Sequence, residues 1–106
     1  MEQIYIAGCG GMLGEAFYNI FGKEYDVKAT DIDTNENWLK YLDFRDFEEY
    51  NNQVKLFKPK WLFHLGAYTD LEFCEINQED TYLTNTESVI NAVKISNNLN
   101  IPLLYI

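Results

Sequence analysis

Residues 8–14 read Gly8-Cys9-Gly10-Gly11-Met12-Leu13-Gly14, and this glycine-rich stretch decides the fold of the chain. The apolar residues 4–7 before it predict a buried strand, and apolar positions 13, 16, 17, 20 and 21 recur at helical spacing. A strand, a glycine turn and a helix, in that order, form the context in which backbone N–H groups at the helix start hold phosphates. The stretch therefore predicts a loop that binds the diphosphate of a dinucleotide.

Three glycines and one acid each have a task in such a loop. Gly8 can adopt backbone angles that other residues avoid, so the chain can turn tightly. Gly11 has no Cβ to obstruct a pyrophosphate, and Gly14 lets the helix lie close to the sheet. Residues 27–30 predict a second strand that ends at Asp31, close to the ~20 residues expected before the acid that binds a ribose hydroxyl. A plain glycine turn is the alternative, and the acid at this spacing favours the dinucleotide loop.

Length, composition and charge restrict the function classes. The 106 residues, 47% of them hydrophobic, can form one globular domain. The net charge of −9 argues against a nucleic-acid partner but is compatible with a nucleotide cofactor held by backbone N–H groups. No stretch reads as a membrane span or a secretion signal, and Cys9 and Cys74 predict no disulfide framework. We therefore expect a cytoplasmic protein with no membrane partner and, since no Cys/His cluster has ligand spacing, no metal site.

The rest of the chain continues to alternate between strands and helices. Residues 61–65 and 103–106 predict two more strands, whereas residues 38–42 are either a short strand or an irregular segment. The pattern predicts an α/β fold, the N-terminal half of a Rossmann-type doubly wound parallel sheet, with about four strands and helices on both faces. Because the last strand ends at the rim where ligands bind, we expect the chain to be the N-terminal portion of a longer protein.

Two further helices carry interpretable faces. Asp43 is the expected N-cap of a helix whose buried face is formed by Phe47, Tyr50, Val54 and Phe57. A short helix is expected over residues 70–76. Asn77 and Asp80 resemble a capping pair for the longest helix, which runs to Leu99. Its predicted buried face consists of Tyr82, Thr86, Val89, Ile90 and Val93.

These motifs resemble those of the extended short-chain dehydrogenase/reductases that act on nucleotide-linked sugars, and within them the dTDP-4-dehydrorhamnose reductases. Residues 8–14 match the family's glycine pattern, with Met12 and Leu13 inside it, and Asp31 matches its acid after the second strand. The resemblance implies that Asp43 and Phe44 contact the adenine. It also implies that the nicotinamide half is lined by Leu65, Gly66, Ala67 and Tyr68. In the long helix, Asn85 matches a structural asparagine of the family.

The resemblance also implies an activity for the complete protein, which is hydride transfer from NAD(P)H to the carbonyl of a nucleotide sugar. The family's Tyr-x-x-x-Lys pair does not occur in these residues, so no catalytic residue is assigned and the 106 residues alone are expected to be inactive. NAD(H) is the expected cofactor because Asp31 would repel a 2′-phosphate, although relatives often accept NADP(H) as well. A homodimer of the complete protein is compatible with the family.

Other functions stay open at this point. An epimerase or dehydratase of the same family, or a cofactor-binding regulatory subunit, would share residues 8–14 and differ in the segment that carries the Tyr-x-x-x-Lys pair. An S-adenosylmethionine methyltransferase has a similar loop, but Ile6 stands where its acid is expected, and Gly14 fits dinucleotide spacing.

Several single residues have a structural interpretation beside the functional one. His64, the one histidine, is interpreted as a hydrogen-bonded core residue rather than a catalyst or ligand. Cys9 is interpreted as a filler of a small space rather than a reactive thiol. Asp43 is either a helix cap or an adenine contact, and Tyr68 is either a core aromatic or part of the site.

Overall fold

The computed structural model describes residues 2–10, 12–34, 36–65, 78–79 and 83–106. One parallel sheet is built from β1 (Gln3–Ala7), β2 (Asp26–Asp31), β3 (Lys40–Tyr41), β4 (Trp61–His64) and β5 (Leu103–Tyr105). The described residues also form the helices α1 (Met12–Phe21), α2 (Phe47–Phe57) and α3 (Ser88–Leu99), and a π-helical turn, Leu83–Glu87, leads into α3. Among the described residues, no helix has the length and apolar character needed to cross a membrane.

The spatial order of the strands is β3-β2-β1-β4-β5, and all four pairings are parallel. This order confirms the predicted doubly wound sheet. It contains one strand more than the four that the sequence predicts, because segment 38–42, for which the sequence left a strand and an irregular segment open, contributes the two-residue edge strand β3.

The sheet separates two apolar layers, and alternate residues of β1 enter opposite ones. Ile4 and Ile6 belong to the layer under α1, which also includes Cys9, Ala29, Leu39, Phe63, Phe17 and Phe21. Tyr5 and Ala7 belong to the layer under α2 and α3, which also includes Leu42, Phe44, Tyr50, Val54, Leu62, Ala92 and Ile95. Burial on both sides explains why β1 and β4 are nearly continuous apolar runs.

Only part of the apolar set at helical spacing in α1 faces the core. Leu13 and Ile20 are 46% and 62% exposed, whereas Phe17 and Phe21 pack on Phe63 of β4. Gly14 is buried on this same face. A Cβ there would lie 2.5 Å from the Cα of Cys9. The smallest residue of the helix therefore has to face the loop, and this requirement sets the rotation of α1.

The predicted N-cap of α2 was wrong by one turn. Asp46 is the cap, and its side chain accepts a hydrogen bond from the Glu49 N–H at 3.3 Å. Asp43 lies earlier, in a turn closed by a 3.0 Å hydrogen bond from the Asp46 N–H to the Asp43 carbonyl. Tyr50 and Val54 are buried, as the helical spacing predicts.

The predicted buried face of the longest helix was wrong at Ile90 and Val93. Thr86 and Val89 are half-buried, and Tyr82 lies outside the described residues. Ile90 and Val93 are 40% and 42% exposed, and the buried residues of the helix are Ser88, Asn91, Ala92, Ile95 and Ser96. Ser88 and Asn91 have hydrogen-bond partners on other elements, whereas Ser96 donates to the Val93 carbonyl of the same helix. These partners, together with the apolar contacts of Ala92 and Ile95, turn this face inward. Residues 70–77 and Asp80, where a short helix and a capping pair were expected, lie outside the described residues.

Candidate cofactor site

The carboxyl ends of the five parallel strands meet at one edge of the sheet, where ligands of such folds bind. Gly8 follows β1 at this edge, Asp31 ends β2, Asp43 follows β3 and Leu65 follows β4. The N-terminus of α1 lies at the same edge, because the loop after β1 leads directly into this helix. The topology therefore places most of the predicted site residues on one rim.

A left-handed turn at Gly8 starts the loop. Gly8 has φ of 82°, a conformation that L side chains rarely adopt, so the predicted need for glycine here is confirmed. The N–H groups of Gly8 and Cys9 both donate to the Thr30 carbonyl, at 2.9 and 2.8 Å. The Thr30 hydroxyl donates to the Ile6 carbonyl at 2.8 Å. These bonds hold the start of the loop against β2.

The Asp31 carboxylate touches the glycine loop. Its Oδ2 accepts the Gly10 N–H at 2.9 Å, and its Oδ1 accepts the Asp33 N–H at 2.9 Å. A Cβ at Gly10 would lie 3.0 Å from the Asp31 Cγ and Oδ2, so glycine keeps this approach open. Gly10 was not among the predicted site residues, and its place between Cys9 and Gly11 in the loop was the signal that could have identified it.

Gly14 brings the first turn of α1 against the loop. Its missing Cβ leaves room for the Cys9 backbone, and the Cys9 thiol donates to the Gly14 carbonyl at 3.1 Å. Burial, with a smaller contribution from the charge of Asp31, raises the pKa of the Cys9 thiol to about 12. Cys9 therefore remains a neutral thiol at neutral pH, which confirms its interpretation as a space-filling residue.

The turn after β3 contains the Asp43 carboxylate, which forms a two-pronged ion pair with Arg45. The Arg45 guanidinium donates to Asp43 through Nε to Oδ1 at 2.9 Å and through Nη2 to Oδ2 at 3.1 Å. Hydrogen bonding from Arg45 is the main reason that the pKa of Asp43 lies below its usual value. Phe44 is 4% exposed and its ring packs edge-on against His64, so this ring belongs to the core.

His64, at the end of β4, lies in a buried hydrogen-bonded chain. Its Nδ1 is 2.9 Å from the Tyr50 hydroxyl and its Nε2 is 3.2 Å from the Ser88 hydroxyl. All three side chains are fully buried. Burial lowers the pKa of His64 to about 4, so the ring is neutral at pH 7. The interpretation of His64 as a hydrogen-bonded core residue is confirmed.

The structure brings Gly8, Gly14, Asp31, Asp43 and the backbone of Phe44 to one rim, and half-buried Leu65 joins them because its N–H donates to the Ala7 carbonyl at 2.8 Å. Leu13 is exposed in the first turn of α1, and Met12 is described only as part of that helix. Four predicted site residues lie outside the described residues, namely Gly11, Gly66, Ala67 and Tyr68. Cofactor contact stays a prediction for these four and for the described site residues alike. Where side chains are described, no group of three or more His, Cys, Asp or Glu residues could hold a metal ion.

Comparison with known proteins assigns the chain to a family. A family model described as the RmlD substrate binding domain matches residues 1–106. No curated protein matches the chain.

Three solved structures illustrate the likeness of the fold. L-threonine dehydrogenase from Clostridium difficile superposes with a TM-score of 0.90 at 20% identity, covering 99% of this chain and 36% of that one. The dTDP-4-dehydrorhamnose reductase from Bacillus anthracis, in complex with NADP, gives 0.79 at 23% identity over 96% and 34%. The UDP-glucose 4-epimerase from Thermus thermophilus, in complex with NAD, gives 0.81 at 14% identity over 93% and 35%.

The chain spans about a third of the length of each of these three proteins. They establish the fold, and the family model, which covers residues 1–106, establishes the relationship that the motifs indicated. The chain belongs to the RmlD substrate binding domain family, in agreement with its resemblance to the extended short-chain dehydrogenase/reductases.

Proposed function

We propose that this chain binds a nicotinamide dinucleotide at the carboxyl edge of its sheet and forms the cofactor-binding part of a sugar-nucleotide oxidoreductase. The observation that carries the proposal is the 2.9 Å hydrogen bond from the Gly10 N–H to the Asp31 carboxylate. It joins the loop suited to a diphosphate directly to the acid suited to a ribose, and these two groups are neighbours in the cofactor.

The order of the strands supports the placement of each part of the cofactor. The loop between β1 and α1 offers backbone N–H groups and a helix N-terminus to the diphosphate. Adjacent strands lie about 4.8 Å apart, so the adenosine ribose falls at Asp31 on β2 and the base falls beyond it, at the end of β3. The nicotinamide half then lies on the other side of β1, toward Leu65 after β4.

The acceptor capacity of Asp31 fits a ribose with two free hydroxyls. A carboxylate offers about four lone-pair positions, two on each oxygen. Backbone N–H groups use one position on Oδ1 and one on Oδ2, which leaves one on each oxygen for a hydroxyl donor. A 2′-phosphate would instead bring negative charge against the carboxylate, so we propose that NAD(H) binds more tightly than NADP(H).

When bound, the cofactor supplies a hydride to a carbonyl carbon of the substrate. The described residues bind and orient it. Gly8 and Gly14 shape the loop, Asp31 fixes the ribose, and burial keeps the Cys9 thiol inert beside the phosphates. Reduction of a 4-keto sugar nucleotide is the reaction that we propose for the complete protein, and the family match supports it. An epimerase or dehydratase would use the same cofactor-binding residues.

Calorimetric titration of the 106-residue chain with NADH and NADPH tests the proposal. We expect NADH to bind more tightly, and Asp31→Ser to reduce the NADH affinity by about tenfold while narrowing the difference from NADPH, because a hydrogen bond to a charged group is lost. Asp33→Ser is the matched control. It removes a neighbouring exposed carboxylate while keeping the backbone N–H that binds Asp31, and both affinities should stay within about twofold. Failure of both dinucleotides to bind would reject the function, and tighter NADPH binding would reject the cofactor preference.

A further inference from the structure

We propose that Arg45 is a positioning residue for the adenine subsite, because it fixes the Asp43 carboxylate with one acceptor position left for an amino group. This inference rests on the proposed dinucleotide function and adds a selectivity to it. The chain should prefer a base that carries an amino group at the contacted position over the same base with an oxygen there.

Asp43 lies where the order of the strands places the base. Tyr41 on β3 pairs with Asp31 on β2, and the Leu42 N–H donates to the Asp31 carbonyl at 3.0 Å. Asp43 therefore follows immediately at the rim, one strand beyond the residue proposed to hold the ribose. A base attached to that ribose and directed away from β1 reaches the end of β3 first.

Arg45 occupies most of the Asp43 carboxylate. Oδ1 accepts both the Arg45 Nε, at 2.9 Å, and the Arg45 backbone N–H, at 3.1 Å, while Oδ2 accepts Nη2 at 3.1 Å. Within the described ranges no other donor reaches this carboxylate, so one of its about four acceptor positions remains, on Oδ2. A carboxylate that stays ionised can only accept, so its partner must be a donor. The 6-amino group of adenine is a donor, whereas the 6-oxygen of hypoxanthine is not.

The backbone of this turn is held independently of the Asp43–Arg45 pair. The Asn91 side-chain amide on α3 donates to the carbonyls of Phe44 and Arg45, at 3.2 and 3.1 Å. The buried ring of Phe44 anchors the turn in the core. Substitution of the Arg45 side chain should therefore release the Asp43 carboxylate without displacing the turn, and this separation makes the inference testable.

The experiment compares NAD⁺ with nicotinamide hypoxanthine dinucleotide, in which an oxygen replaces the 6-amino group of the base and N1 carries a proton. We expect the wild-type chain to bind NAD⁺ about tenfold more tightly, since one hydrogen bond to a charged group is at stake. Arg45→Gln should reduce this preference to about threefold or less, mainly through weaker NAD⁺ binding, with the hypoxanthine ligand bound within about twofold of wild type. Arg45→Lys keeps the charge but cannot reproduce the two-pronged contact, so it should lose the preference as well.

Lys40→Gln is the control for the loss of one positive charge, since Lys40 lies exposed on β3. It should retain the wild-type preference. Equal binding of both ligands by the wild-type chain would overturn the inference and leave the dinucleotide function standing. An Arg45→Gln variant that loses both ligands equally, or keeps the full preference, would also overturn it. If neither ligand binds the wild-type chain, the proposed function falls and the inference falls with it.

Discussion

The missing Cβ of Gly14 sets the distance between α1 and the loop after β1. An added methyl group would lie 2.5 Å from both the Cα and the carbonyl oxygen of Cys9, and these are backbone atoms that cannot rotate away. Gly10 differs, because its nearest neighbour is the Asp31 carboxylate at 3.0 Å, the end of a short side chain. Gly14 therefore serves the packing of α1 on the loop, and Gly10 allows the Asp31 carboxylate to approach the loop backbone.

Gly14→Ala should destabilise the fold by about 1–3 kcal/mol, because the steric conflict exceeds the higher helix propensity of alanine. Urea unfolding followed by circular dichroism measures this free energy. Glu15→Ala, at the next and exposed position of α1, is the control and should change the stability by less than about 0.5 kcal/mol. A Gly14→Ala variant as stable as wild type would show that α1 can move away from the loop at no cost.

At the scale of elements, the start of α2 depends on one side chain. Asp46 accepts the Glu49 N–H, and its carboxylate also lies near the positive end of the helix dipole. The helix carries Tyr50 and Val54 into the core, so its first turn fixes how these two side chains enter the layer. Asp43, which is three residues earlier, forms an ion pair with Arg45 instead of capping the helix.

Asp46→Ala should lower the free energy of unfolding by about 1 kcal/mol, the usual effect of losing an N-cap. Glu48→Ala removes the same charge from the first turn without removing a cap, and it should cost only a few tenths of a kcal/mol. Parallel urea titrations distinguish the two. Equal losses in both variants would assign the effect to charge alone and contradict the capping role.

At the scale of the whole molecule, His64 connects three elements. Its ring lies between Tyr50 of α2 and Ser88 of α3, and its backbone belongs to β4. Burial lowers the pKa of His64 from 6.5 to about 4, so the folded protein holds the ring neutral where an unfolded chain would protonate it. The stability from this group is complete above pH 6.5 and is lost as the pH falls toward 4, by about 3 kcal/mol in total.

Proton NMR of the one histidine checks this prediction, since the chain has no second imidazole whose C2 proton could be confused with it. The titration midpoint should lie near 4 in the folded protein. Unfolding of a His64→Gln variant is the matched measurement. For each protein, the loss in the free energy of unfolding between pH 6.5 and pH 4.5 is measured. Both proteins carry the same carboxylates, so the difference between the two losses is the contribution of His64. A midpoint near 6.5 would show that the ring is solvated and that the buried chain is open.

The sequence by itself determined the strand–turn–helix opening, the acid at the end of β2 and the alternation that produces a parallel sheet, because glycine requirements and apolar periodicity are local properties. Only the tertiary structure decided which faces of α1 and α3 are buried, that Asp46 rather than Asp43 caps α2, and that Gly10, Arg45 and Asn91 belong to the rim. These features depend on partners far away in sequence. Asn91 binds carbonyls at residues 44 and 45, and Gly10 binds Asp31. A polar side chain turns inward only when such a partner is present, and no local pattern records that partner.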